Sequence, residues 1–138
     1  MEFSPRKGAP RPSTQRERER GAATVDFALI GGLLTVIFLA IVQLTLVLHV
    51  RNTLIDAASS GARYGTLADR SPADAAARTT SLITGAINSA YAQDVSVARI
   101  EQGGSPILQV TVRAPIPVIG LIGPSGTMEV TGHAALTS

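Results

Sequence analysis

From Phe27 to Val50 the chain reads FALIGGLLTVIFLAIVQLTLVLHV, 24 residues without an Asp, Glu, Lys or Arg. A helix of that length rises about 36 Å, enough to cross a hydrocarbon core of about 30 Å. Lipid offers the backbone no hydrogen-bond partner, so a lone segment can cross it only as a helix, which satisfies its own N–H and C=O groups. The sequence therefore predicts a transmembrane helix over residues 22–50. With 138 residues in all, the remainder suffices for one small domain. Thr35, Gln43 and Thr45 are the polar residues inside the run. Gln43 is either simply tolerated there or hydrogen-bonded to a neighbouring helix.

Charge sets the expected orientation. Residues 1–20 carry Arg6, Lys7, Arg11, Arg16, Arg18 and Arg20, whereas the twenty positions after the run carry Arg51, Arg63 and Arg70. Six basic residues against three predict a cytoplasmic N-terminus and an extracytoplasmic C-terminus. A secretory signal peptide also begins with basic residues and an apolar run, but its apolar core is short and ends at a small-x-small cleavage site. Here the run is longer and ends in LHVRNT, so cleavage on its far side is not expected. Residues 1–21 are rich in Pro, Arg, Gln and Glu and read as a disordered basic leader.

After the run, RNTLIDAASSGARYG contains no proline and continues the helix over residues 51–65. Ala57, Gly61 and Gly65 fall at i, i+4 and i+8, a ridge with almost no side-chain bulk. It suits either close approach by another element or a plain helix end with glycine as the stop signal. A second helix is expected over 72–91. Ser71 can cap it, Pro72 suits its first position, and Asp74 completes a capping box. Leu82, Ile83, Ala86, Ile87, Ala90 and Tyr91 form its apolar face.

Beyond this helix the period changes to two. Strands are expected at about 95–101, 107–113 and 127–135, with QGGSP turning the first hairpin. APIPVIGLIGPSG is apolar but holds three prolines and three glycines, and reads as an irregular loop resting on the bilayer or on a partner. The expected architecture over 51–138 is α+β: a helix extension and a second helix packed on a short antiparallel sheet.

Several function classes fall away at this level. The chain has no cysteine, which removes disulfides, thiolate nucleophiles and cysteine metal sites. His49 and His133 are far apart and lack carboxylates at ligand spacing. No nucleophile, base and orienter can be assembled, so neither an enzyme nor a cofactor is expected. The basic leader has Phe3 as its one aromatic residue, and nucleic acid is not expected as a partner.

Asp26 stands at the mouth of the apolar run, in RGAATVDF. On charge placement alone it reads as a solvated acid paired with Arg20 at headgroup level. The surrounding pattern adds to that. A basic leader, a glycine, an acid five positions later, an aromatic at the sixth and a long apolar helix together resemble a type IV prepilin signal. The resemblance extends over roughly residues 16–135 to the TadE/TadG-like proteins of tight-adherence (Flp) pilus systems. They carry a Glu-Phe-Ala element at the start of the span and an A-A-x-x-G-A-R-Y element after it, matched here by Asp26, Phe27, Ala28 and by Ala57 to Tyr64. Asp26 stands where these proteins usually have Glu, one methylene shorter.

The resemblance implies a minor pilin or pseudopilin in the bacterial inner membrane, with a periplasmic or extracellular C-terminal domain, acting in pilus assembly for surface adhesion. It implies prepilin peptidase as a partner, cutting between Gly21 and Ala22, together with other pilin-like subunits and the inner-membrane assembly platform. Asp26, followed by Phe27, would then pair with the amine newly formed on Ala22 of an adjacent subunit. The alternative expectation is an unprocessed bitopic protein whose outer domain binds partners in an envelope or secretion complex.

Overall fold

The computed structural model describes residues 13–117 and 126–136. Contacts divide the chain into two compact units, Met1–Ile41 and Val42–Ser138. Helix α1 (Ser13–Gly65) contributes to both, and α2 (Pro72–Ala86), a 3₁₀ turn (Ser89–Ala92) and strands β1 (Asp94–Gln102), β2 (Ser105–Pro115) and β3 (Thr127–Ala135) follow. The architecture is α+β.

In the first unit the described residues are all helical, from Ser13 onward. Part of the leader expected to be disordered is therefore ordered, and residues 1–12 lie outside the described residues. Local chemistry accounts for the start. STQRERER has no glycine or proline and is made largely of good helix formers. The apolar residues beyond it face outward: Phe27 is 79% and Phe38 64% exposed. So large an apolar surface does not stay in water. By length and composition α1 can cross a membrane, which points to a single-pass membrane protein.

The second unit begins inside the apolar run. Val42, Gln43, Leu46 and Val47 are half-buried, and Val50 is buried in the core of this unit with Leu54. The Gln43 side-chain amide donates to the Pro117 carbonyl of the same chain. Part of the run that composition assigned to lipid thus packs against the chain's own fold.

β1, β2 and β3 form one antiparallel sheet in that order. Gly103 and Gly104, at φ 61° and 81°, make the two-residue turn between β1 and β2. Positive φ at both positions matches the right-handed twist of the strands. One face of β2, with Leu108, Val110, Val112 and Ala114, is buried with Val130 of β3. The opposite face carries Gln109 and Thr111 with Ile107 at its end, and on it Arg113 Nε pairs with Glu129 at 2.8 Å.

α2 starts at its capping box. The Ser71 N–H donates to Asp74 Oδ2 at 2.8 Å, and the Asp74 N–H donates to Ser71 Oγ at 3.3 Å. The helix ends at Ala86 rather than 91. Ile87 leaves helical geometry (φ −125°, ψ −88°), and the Asn88 side chain caps the 3₁₀ turn by accepting from the Ala90 N–H at 2.8 Å. Its buried stripe is Ala75, Thr79 and Ile83. Leu82, Ile87 and Tyr91 are half-buried, while Ala86 and Ala90 are exposed. Of the apolar loop expected after β2, residues 118–125 lie outside the described residues; its ends are joined by the Ile116 N–H donating to the Gly126 carbonyl at 2.9 Å.

Candidate functional site

Two segments of α1 carry the residues singled out above. In the first unit, Gly21 and Ala22 lie within the helix, eight residues past its start. A Cβ on Gly21 would meet nothing within 4 Å, so no packing contact demands glycine there. Asp26 and Phe27 are exposed. The pairing of Asp26 with Arg20 is not formed: among the described residues the one ion pair is Arg113 with Glu129, and no hydrogen bond holds the Asp26 carboxylate. A carboxylate at the edge of an apolar helix, with no ion-pair partner among the described residues, is costly in lipid until a cation reaches it.

In the second unit the small residues form a seam. Ala58 and Ala62 are fully buried and Ala57 is 5% exposed. A Cβ on Gly61 would collide with Thr79 Oγ1 and lie 2.9 Å from the Ala75 carbonyl. At Gly65 it would lie 2.5 Å from the Ala75 Cβ and 2.7 Å from Leu108 Cδ2. The seam thus lets α1 lie directly on α2 and on β2. Thr79 satisfies its buried hydroxyl by donating to the Ala75 carbonyl at 2.9 Å.

On the other side of the seam, Gly132 of β3 faces the α1 backbone. A Cβ there would run into Ser59 N and Ala58 C and stand 2.7 Å from the Ala58 carbonyl oxygen. Sequence reading missed both Thr79 and Gly132. An isolated glycine within a strand was the available signal for the second, since it marks close backbone approach.

The end of the seam is held by an aromatic contact. The Arg70 guanidinium stands 4.7 Å from the centre of the Tyr64 ring, and that of Arg78 stands 5.6 Å away. Cations over a ring face are attracted by its quadrupole. Tyr64 therefore ties the last turn of α1 to the connection and to α2. Close by, Asp74 is held below the ordinary carboxylate range, first by the hydrogen bond from the Ser71 backbone, then by the Ser71 hydroxyl and the charge of Arg70. Among the described residues no three His, Asp or Glu side chains gather where they could hold a metal ion.

Residues 21–63 match the model of the family described as TadE-like protein. No curated protein and no solved structure gives a significant match. The matched segment opens at Gly21, takes in Asp26 and the apolar run, and closes at Arg63, two residues before α1 ends. It holds the exposed acid and most of the small-residue seam, including Ala57 and Gly61. The match over residues 21–63 is consistent with a TadE/TadG-like pilus assembly protein.

Proposed function

We propose that this protein is a non-enzymatic minor pilin or pseudopilin that takes part in assembling a tight-adherence pilus used for surface adhesion. It is held in the inner membrane by α1, with its N-terminus in the cytoplasm and its α+β domain in the periplasm. Prepilin peptidase removes the leader between Gly21 and Ala22. The amine left on Ala22 then pairs with Asp26 of a neighbouring subunit, where low dielectric strengthens the attraction and leaves either charge costly alone.

The observation that carries this reading is the Gly21 to Phe27 element at the head of the TadE-like segment, with an exposed Asp26 that has no ion-pair partner among the described residues. Complementation of a deletion strain tests it. Asp26→Ala should reduce surface pili to the level of the deletion, and Asp26→Glu should restore them. Full piliation with Asp26→Ala would remove the amine-pairing role and favour the unprocessed bitopic protein.

A further inference from the structure

The second unit carries a groove of about 260 Å³ between α1 and α2, lined by Thr53, Asp56, Ala57, Ser60, Leu82 and Ala86. Its wall is aliphatic and its single charge is Asp56, which is exposed and in no ion pair among the described residues. The Ser60 hydroxyl has no hydrogen-bond partner among the described residues. Thr53 Oγ1 donates to the His49 carbonyl at 2.9 Å, which leaves its lone pairs free to accept. An acid flanked by hydroxyl acceptors above an aliphatic wall fits an arginine, whose stem packs on carbon while its guanidinium meets oxygen.

Arg51 of the same helix is such a group. It is exposed and in no ion pair among the described residues. Five residues separate it from Asp56, which places the two about 140° apart around α1 and about 7.5 Å apart along it. Arg51 therefore faces away from its own groove.

We propose that Arg51 of one copy docks into the Asp56 groove of a second copy of this chain. Plug and groove lie on different sides of one helix, so the contact is heterologous: the copy that inserts its plug keeps a free groove, and the copy that receives it keeps a free plug. The step along the helix prevents closure into a ring, so the contact propagates as an open stack. This deepens the pilin reading, which supplies copies inserted in one direction and names the second copy as the partner.

The chain has no cysteine, so crosslinking tests this directly. Full-length Ala86→Cys and Asn52→Cys copies, with different tags, are co-expressed and treated in membranes with a short bismaleimide. A mixed crosslink should form. Arg51→Glu or Asp56→Lys placed in both copies should lower it by up to about fivefold, the upper end for an exposed ion pair, and the double reversal should restore it. No mixed crosslink, or losses that the double reversal does not recover, overturns the docking. The same cells are compared with and without prepilin peptidase. A processed chain whose crosslink ignores charge overturns the docking and leaves the pilin reading standing. An unprocessed chain whose crosslink follows the charge swaps supports the docking and removes processing from the reading.

Discussion

Gly132→Ala probes the packing of α1 on the sheet. The added Cβ would stand 2.7 Å from the Ala58 carbonyl oxygen, whereas ordinary contact begins at 3.4 Å. The two backbones must therefore part by at least about 0.7 Å, and more to clear Ser59 N and Ala58 C. Neither partner is a side chain that could rotate away. A radial gap of that size forfeits a quarter to a half of the dispersion attraction across a packed surface. Here the surface includes Leu54, Ala58 and Ala62, each fully buried, and Val130 at 3% exposure. Overpacking costs about 1–3 kcal/mol, and a backbone collision belongs at the upper end. For a domain of this size about 3 kcal/mol lowers Tm by roughly 12–24 °C. Thermal unfolding of the full chain in detergent, followed by near-ultraviolet circular dichroism, measures it. Gly85→Ala is the control: it lies in α2 with nothing within 4 Å of its Cβ and should stabilise by up to about 1 kcal/mol. A Gly132→Ala protein within about 0.5 kcal/mol of wild type would refute the packing argument.

Three further perturbations test the connection and the seam. Gly61→Ala drives a methyl into Thr79 Oγ1 and should cost about 1–3 kcal/mol; adding Thr79→Ala should recover part of that loss in denaturant titrations, a non-additivity that separate sites would not show. Ser71→Ala should cost about 1 kcal/mol through loss of the α2 cap. The Asp74 carboxyl titrates below its ordinary value near 3.8 in the folded chain, so its contribution is fully present above that pH and is lost as pH falls toward the folded value. Asp74→Asn should remove this part of the acid dependence of stability, read from unfolding curves between neutral and acidic pH.

Where local chemistry decides structure, the sequence was enough to read it. Ser71, Pro72 and Asp74 announce the start of α2, and Gly103 with Gly104 announce the hairpin, because caps and turns are settled within a few residues. Val110 and Val112 showed their buried face through a period of two. The seam was harder. Ala57, Gly61 and Gly65 showed as a ridge without bulk, but Ala58, Ala75 and Gly132 matter because another backbone comes close, and small residues carry almost no hydropathy signal to report it. For the same reason the buried stripe of α2 turned out to be Ala75, Thr79 and Ile83, while the more apolar-looking series ran on to Ala86 and Ala90, which are exposed. Val50 illustrates the opposite error: apolar enough for lipid, it is claimed by the core of the folded unit. Of the candidate site, Gly21 and Asp26 were legible only as a pattern, since among the described residues nothing packs on Gly21 and no ion pair holds Asp26.

The most direct test of the account is the N-terminal residue of the protein extracted from membranes of cells with and without prepilin peptidase. A chain beginning at Ala22 when the peptidase is present, and retaining its leader when it is absent, is the expected result. A chain retaining its leader in both would contradict the processed-pilin account, whatever its role in the membrane.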